Sequence, residues 1–134
     1  KLLIIYIPAQ ILGCLLGVML ANVFFEHDIL ELSTKNRDGF HIFLSEIIAT
    51  FGLIFIIFAT LKDGKITIAA SVATYIMAGY WFTSSTSFAN PAVAIARTFT
   101  DSFTGINYLN TPTYILAEFL GALIAVYFIK KLIK

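Results

Sequence analysis

The sequence predicts an all-α fold, a polytopic membrane helical bundle. Of the 134 residues, 59% are hydrophobic and only 13% are charged, whereas a typical soluble domain carries about 25% charged residues. The long apolar stretches have no polar face that would meet water, which argues against a soluble protein with buried helices. A short polar run near residue 90 breaks this apolar pattern and predicts a pore-like segment.

Four apolar segments predict membrane spans at residues 2–25, 42–61, 66–82 and 112–130. A transmembrane helix needs about 20 apolar residues, which the first two segments supply. The third is shorter and leads into the polar run, and the fourth ends at two lysines. The first segment is not a signal peptide, because its apolar core is too long and no small-residue cleavage site follows it.

The break in the pattern is the triplet Asn90-Pro91-Ala92, which ends the small-residue run Thr83–Ala89. Irregular backbone at membrane depth is tolerated only where protein buries it or where it lines a watery cavity. Asn is a good N-cap and Pro suits the first helical position. We therefore predict a pore half-helix over about 91–99, with its positive N-terminal end pointing into a pore.

The placement of basic residues predicts the orientation of four alternating crossings. One side would carry six basic residues and the other three, so the first side is cytoplasmic by the positive-inside rule. Both ends of the chain would then be cytoplasmic. The first group is Lys1, Lys62, Lys65, Lys130, Lys131 and Lys134, and the second is Lys35, Arg37 and Arg97.

The remaining reactive side chains do not indicate an enzyme, a cofactor or a metal site. Cys14 lies within the first span and has no second cysteine to pair with, so we interpret it as a packing residue. His27 and His41 lack ligand-spaced partners, and we expect the charged loop 26–41 to be a solvated connector. No nucleophile–base arrangement or phosphate loop is present, and the basic residues are topological anchors rather than a nucleic-acid surface.

Several residues inside the spans are candidates for a structural role. Gly13 and Gly17 have the spacing at which two helix backbones approach closely, and Gln10 lies one turn earlier, able to hold irregular backbone with its amide. Glu46 either accepts backbone N–H groups freed near Asn90 or lies at the headgroup level. Glu118 either is buried or lies at the headgroup level, and the sequence indicates no partner for it.

Taken together, these residues resemble the aquaporin and glycerol-facilitator family, the major intrinsic proteins. The resemblance rests on Gln10 before Gly13 and Gly17, on Glu46 early in a span, on Ser87 to Ala92, and on a final helix with Gly121. It covers essentially the whole chain as one partial domain, 1–134. It implies the family's third to sixth spans and the second of its two Asn-Pro-Ala half-helices, so the fold would be N-terminally incomplete.

The resemblance also implies a selectivity filter and its departures from the family pattern. Counting from Asn90 places Ala78 and Ser87 at filter positions, and Val93 stands where an Arg usually follows the triplet. These residues imply a wide, less charged constriction. Arg97, one turn after Val93, either substitutes for that Arg as an outer-mouth charge or serves as a topological charge.

By this resemblance the expected function is a passive channel for water and small neutral solutes. Candidates are glycerol-like polyols and neutral metalloid acids such as arsenite, with Asn90 donating hydrogen bonds at the pore midplane. The resemblance further implies a homotetramer in a bacterial-type inner membrane. Two alternatives remain, which are a non-conducting fragment or subunit that needs a complementary half, and a secondary transporter with a broken helix.

Overall fold

The computed structural model describes residues 2–132, and within that part of the chain every regular element is helical. The five α-helices are α1 (Leu2–Phe24), α2 (Phe40–Thr60), α3 (Lys65–Phe82), α4 (Pro91–Ala96) and α5 (Thr111–Leu132). Short 3₁₀ turns follow α2 at Leu61–Asp63 and α4 at Arg97–Phe99. The predicted all-α membrane fold is confirmed.

Three of these helices are long and apolar enough to cross a membrane. They are α1, α2 together with its 3₁₀ turn, and α5. The helix α3 has 18 residues and is not among them, so a crossing by 66–82 stays a prediction. The terminal anchors Lys1 and Lys134 lie outside the described residues.

The chain divides into two compact units, and α5 contributes to both. The first unit comprises the segment up to Asp38 together with Asn90–Ile115. In it, α1 packs against α4 and the 3₁₀ turn that follows. The amide of Asn22, which is 2% exposed, donates to the carbonyl oxygens of Phe99 at 3.0 Å and Ile29 at 3.3 Å. This buried amide joins α1 to two loop segments.

Most residues of the loop after α1 are exposed, and hydrogen bonds attach part of it to the protein. Ser33 N–H donates to the carbonyl of Thr98 at 2.9 Å, and Asn107 N–H donates to that of Lys35 at 2.8 Å. The guanidinium of Arg37 donates to the carbonyls of Gly105 and Phe103 at 2.8 and 2.6 Å. Extended backbone needs partners for its polar groups, and the 97–110 segment supplies them.

The second unit comprises Gly39–Ala89 and the chain from Leu116 onward. Gly52 permits α2 and α3 to approach, because a Cβ at that position would overlap the Tyr75 hydroxyl. That hydroxyl donates to the carbonyl of Ala49 at 3.0 Å. Phe51 of α2 also contacts Phe128 of α5 edge to face, with ring centroids 5.9 Å apart. The segment that follows α3 is held within this unit.

Candidate functional site

The segment between α3 and Asn90 has an unusual backbone. Thr86, Ser87 and Ala89 have φ angles of 64°, 50° and 50°, a left-handed region that residues other than glycine rarely adopt. Such conformations cost on the order of 1–3 kcal/mol each and persist only where surrounding contacts hold them. They occur in the small-residue run that the sequence marks as irregular.

Nearby hydroxyl groups hold this backbone in place. The Thr83 hydroxyl donates to the carbonyl of Gly79 at 2.6 Å. The Ser45 hydroxyl oxygen, on α2, accepts the backbone N–H of Ser84 at 3.0 Å, and the Ser85 hydroxyl accepts the N–H of Ser87 at 3.3 Å. The last two bonds satisfy backbone donors that no helix partner reaches.

Glu46 lies at the centre of these contacts. Its side chain is fully buried, and its Oε1 atom accepts the backbone N–H of Ala89. The N–H of Phe88 and the side chain of Ser85 also interact with its carboxyl group. Of the two positions that the sequence left open, the structure shows the buried one, in which Glu46 accepts backbone donors released by the irregular segment.

Asn90 begins the half-helix. Its backbone is extended, with φ at −158°, and its Oδ1 atom accepts the N–H of Ala92 at 2.9 Å. Pro91 occupies the first helical position, where its missing N–H costs nothing. The α-helix runs for six residues and continues as the 3₁₀ turn Arg97–Phe99. A side-chain cap and a proline thus start a helix too short to cross a membrane.

The three residues placed at filter positions have different environments. Ala78 is exposed on α3 and Val93 is half-buried on α4. Ser87 is only 2% exposed, and its side chain faces Gly79, where an added Cβ would lie 2.6 Å from the Ser87 Oγ atom. The Ser87 side chain therefore packs against α3.

Val93 and Arg97 line one cavity of about 220 Å³ in the first unit, together with Cys14 and Gly17 of α1. Their four-residue spacing places them on one helix face. The Arg97 guanidinium also donates to the Thr104 hydroxyl. Arg97 thus combines a local bond with a position beside the residue that follows the triplet.

A second and larger cavity, about 410 Å³, also includes Arg97 in its wall and lies in the same unit. One part of its wall is polar and the other is aromatic or small. Its lining residues are Ala21, Asn22, Phe25, His27, Arg97, Ser102, Phe103 and Thr104.

The proposed support and packing residues of α1 have fewer neighbours. A Cβ at Gly13 or Gly17 would meet nothing within 4 Å among the described residues. Gln10 is half-exposed, and no hydrogen bond of its side chain is found within residues 2–132. By contrast, a Cβ at Gly121 would lie 2.5 Å from the carbonyl oxygen of Ile47. Gly121 therefore permits close approach of α5 to α2.

Two contributing residues, Ser45 and Gly79, escaped the sequence reasoning, and a third, Glu118, was noted there without a partner. The Ser45 hydroxyl accepts a backbone N–H of the irregular segment, and Gly79 leaves space for the Ser87 side chain. Glu118 is 2% exposed and acts on the Glu46 carboxyl. The adjacency of Ser45 to Glu46 and the position of Gly79, eleven residues before Asn90, carry no pattern that points to a loop. A second acidic residue in an apolar span was the one signal available.

Comparison with known proteins finds a curated relative. The sequence is 45% identical over 120 residues to the aquaglyceroporin AqpS of Rhizobium meliloti (strain 1021), and this match covers 90% of the chain. The chain is thus similar, over most of its length, to a member of the aquaporin and glycerol-facilitator family. It spans about half of that relative, 52% of its length. No protein-family model matches the chain, and no solved structure matches it at a significant level.

The predicted resemblance to the C-terminal portion of this family is confirmed. Aquaglyceroporins are channels rather than enzymes, and the apolar helices agree with an integral membrane protein. Within residues 2–132, no group of three or more His, Cys, Asp or Glu side chains could hold a metal ion.

Proposed function

We propose that this chain forms part of a passive transmembrane channel for water and small neutral solutes. The observation that carries the proposal is the irregular segment that ends at an Asn-capped half-helix and is held by the buried carboxylate of Glu46. Irregular backbone at membrane depth is tolerated where protein buries it and where it lines a watery cavity. The aquaglyceroporin relative supports the same function.

The geometry gives Asn90 a defined role in this proposal. The bond from Ala92 N–H to Oδ1 fixes the plane of the amide, so the direction in which its NH₂ group donates is fixed as well. A water or alcohol oxygen accepts from that group, and the backbone carbonyls of 85–89 accept the solute's own O–H donors. A solute that both donates and accepts is thereby favoured over a cation.

The filter residues favour solutes larger than water. Ala78 and Val93 are small or medium-sized and uncharged, and the Ser87 side chain is turned toward Gly79. We propose that glycerol-like polyols and neutral metalloid acids such as arsenite pass this constriction. Arg97 supplies an outer-mouth charge one turn beyond Val93, at the wall of the same cavity.

Assembly and orientation complete the proposal. A closed pore needs the complementary half that the family contributes through its other Asn-Pro-Ala repeat, and we propose a homotetramer in a bacterial-type inner membrane. Both chain ends are placed in the cytoplasm, since Lys62, Lys65, Lys130 and Lys131 outnumber the basic residues of the other side. Gln10, Gly13 and Gly17 are proposed to contact that complementary half or a neighbouring subunit.

The test is solute flux through vesicles that contain the native polypeptide to which this chain belongs. Light scattering after an osmotic step measures water efflux and glycerol entry. A passive channel gives flux that rises linearly with the solute gradient and is unchanged by sodium or proton gradients. Flux that requires an ion gradient would instead support the broken-helix transporter, and absence of flux would support a non-conducting subunit.

A pair of asparagine variants links the flux to the site. Asn90→Ala removes both the cap and the amide donor, so water and glycerol flux should fall together. Asn36→Ala is the matched control, because Asn36 is an exposed loop residue that bonds only Asp38 among the described side chains. Equal flux in both variants would contradict the role assigned to Asn90.

A further inference from the structure

Two buried acidic side chains meet in the second unit. Glu46 on α2 is fully buried and Glu118 on α5 is 2% exposed, and the Glu118 side chain is among the groups that act on the Glu46 carboxyl. Gly121 lies one turn after Glu118 and lets α5 come within contact distance of the Ile47 carbonyl. The packing of α5 on α2 therefore provides the partner for Glu118 that the sequence did not indicate.

A hydrogen bond between two carboxyl groups requires a proton, because an ionised carboxylate has no donor. Two adjacent carboxylates also repel each other, and in protein sites such pairs hold one proton between them. The other groups that act on the Glu46 carboxyl are the Ser85 side chain and the backbone N–H groups of Phe88 and Ala89. None of these is a cation that would offset a second negative charge.

The bonds around Glu46 indicate where the charge resides. Its Oε1 atom accepts the N–H of Ala89, and acceptance of several backbone donors favours the ionised form. Its Oε2 atom is buried and no described group donates to it with ordinary geometry. A protonated Glu118 would supply that missing donor and leave the pair with one negative charge.

We propose that Glu118 is a positioning residue that shares one proton with Glu46 and so keeps Glu46 oriented toward the backbone of 88–89. This goes beyond the proposed channel function, since it concerns the protonation of a buried pair rather than the solute. Loss of the shared proton at high pH would place two charges in contact and release the segment before Asn90. The titratable groups that face the pair are Tyr75 from α3 and the two acids themselves.

Infrared spectroscopy tests the shared proton directly in the native polypeptide at neutral pH. The carbonyl stretching band of a protonated carboxylic acid should be present in the wild type, shift in D₂O, and disappear in Glu118→Gln. Asp38→Asn is the matched control, because Asp38 is exposed and should leave the band unchanged. A wild-type spectrum identical to that of Glu118→Gln in this region would overturn the proposal, whether or not the protein conducts.

Two substitutions then test the positioning role. Glu118→Gln keeps a neutral donor at the same place and should retain water flux within about twofold. Glu118→Leu leaves the buried acceptor of Glu46 without that donor, so the ratio of folded to unfolded protein should fall roughly tenfold. If Gln is as damaging as Leu, a charged Glu118 is required and the proposal fails. If Leu behaves as the wild type, Glu118 does not position Glu46.

Discussion

Gly79 and Ser87 form a close contact between α3 and the segment that leads to Asn90. A Cβ on Gly79 would lie 2.6 Å from the Oγ atom and 2.8 Å from the Cβ atom of Ser87. The Ser87 backbone adopts a positive φ of 50°, so the segment has little freedom to withdraw. This contact determines how far the irregular backbone stands from α3.

Gly79→Ala should therefore displace the segment and lower solute flux. Overpacking of a filled site typically costs about 1–3 kcal/mol, and a matching loss of thermal stability should accompany the loss of flux. Ser87→Gly in the same chain should restore both, because it removes the clashing atoms and a glycine tolerates positive φ. Additive losses in the double variant would show that the two residues do not act through their contact.

Glu46→Gln should harm assembly more than selectivity. The amide keeps an acceptor for Ala89 N–H but loses the charge that strengthens this bond, and it places an N–H₂ group beside the Glu118 carboxyl. Charge-assisted bonds of this kind contribute about 1.5–3 kcal/mol. We expect a lower yield of folded protein with an unchanged glycerol-to-water flux ratio. Normal assembly with an altered ratio would refute the anchoring role.

Val93→Arg should narrow the outer mouth. The new guanidinium would enter the cavity of about 220 Å³ that Val93 shares with Arg97, so glycerol and arsenite flux should fall more than water flux. Val93→Ile adds bulk without charge and separates the two effects. Unchanged flux of both solutes in Val93→Arg would mean that Val93 does not line the constriction.

Asp101 should make the attachment of the loop 26–41 to the protein sensitive to acid. The backbone N–H of Thr34 donates to its carboxylate at 2.8 Å, and this bond, with further bonds from the Thr34 and Ser33 hydroxyls, lowers the pKa of Asp101 below its ordinary value. Since the folded pKa is the lower one, the stabilisation is present at neutral pH. It is lost as the pH falls below the ordinary aspartate range, about 3.9.

Asp101→Asn should accordingly remove part of the acid dependence. Thermal unfolding of the detergent-solubilised protein at pH 7 and below pH 4 measures this acid dependence. Asp38→Asn is the control, because Asp38 is an exposed acid in the loop 26–41. The two proteins should differ at neutral pH and converge in acid. A constant difference across this range would show that the charge of Asp101 is not what binds the loop.

Gly121→Ala should destabilise the protein, whereas Gly17→Ala should not. The added methyl group at Gly121 would press on the Ile47 carbonyl at 2.5 Å, and helix backbone cannot move aside easily. At Gly17 the same group meets nothing within 4 Å among the described residues. Melting temperatures of the two variants make the comparison, and equal losses would indicate that another helix or another subunit packs on Gly17.

The sequence by itself determined the helical membrane fold and the position of its break. Long apolar runs leave the backbone no polar partners except its own, so each run must form a helix wherever lipid surrounds it. Asn90 and Pro91 start a helix by local chemistry alone, which the structure shows in the cap from Ala92 N–H to Oδ1. Both features can be predicted from the sequence because they depend on residues that are neighbours in the chain.

Only the tertiary structure decided which distant groups complete the site. Glu46 lies 43 residues from Ala89, and Glu118 reaches it from a separate helix. The same holds for the loop 26–41, whose sequence does not indicate that the backbone N–H of Thr34 donates to Asp101. Sequence spacing determines neither which helices pack nor where buried polar groups find partners, since both depend on contacts between segments that folding alone brings into reach.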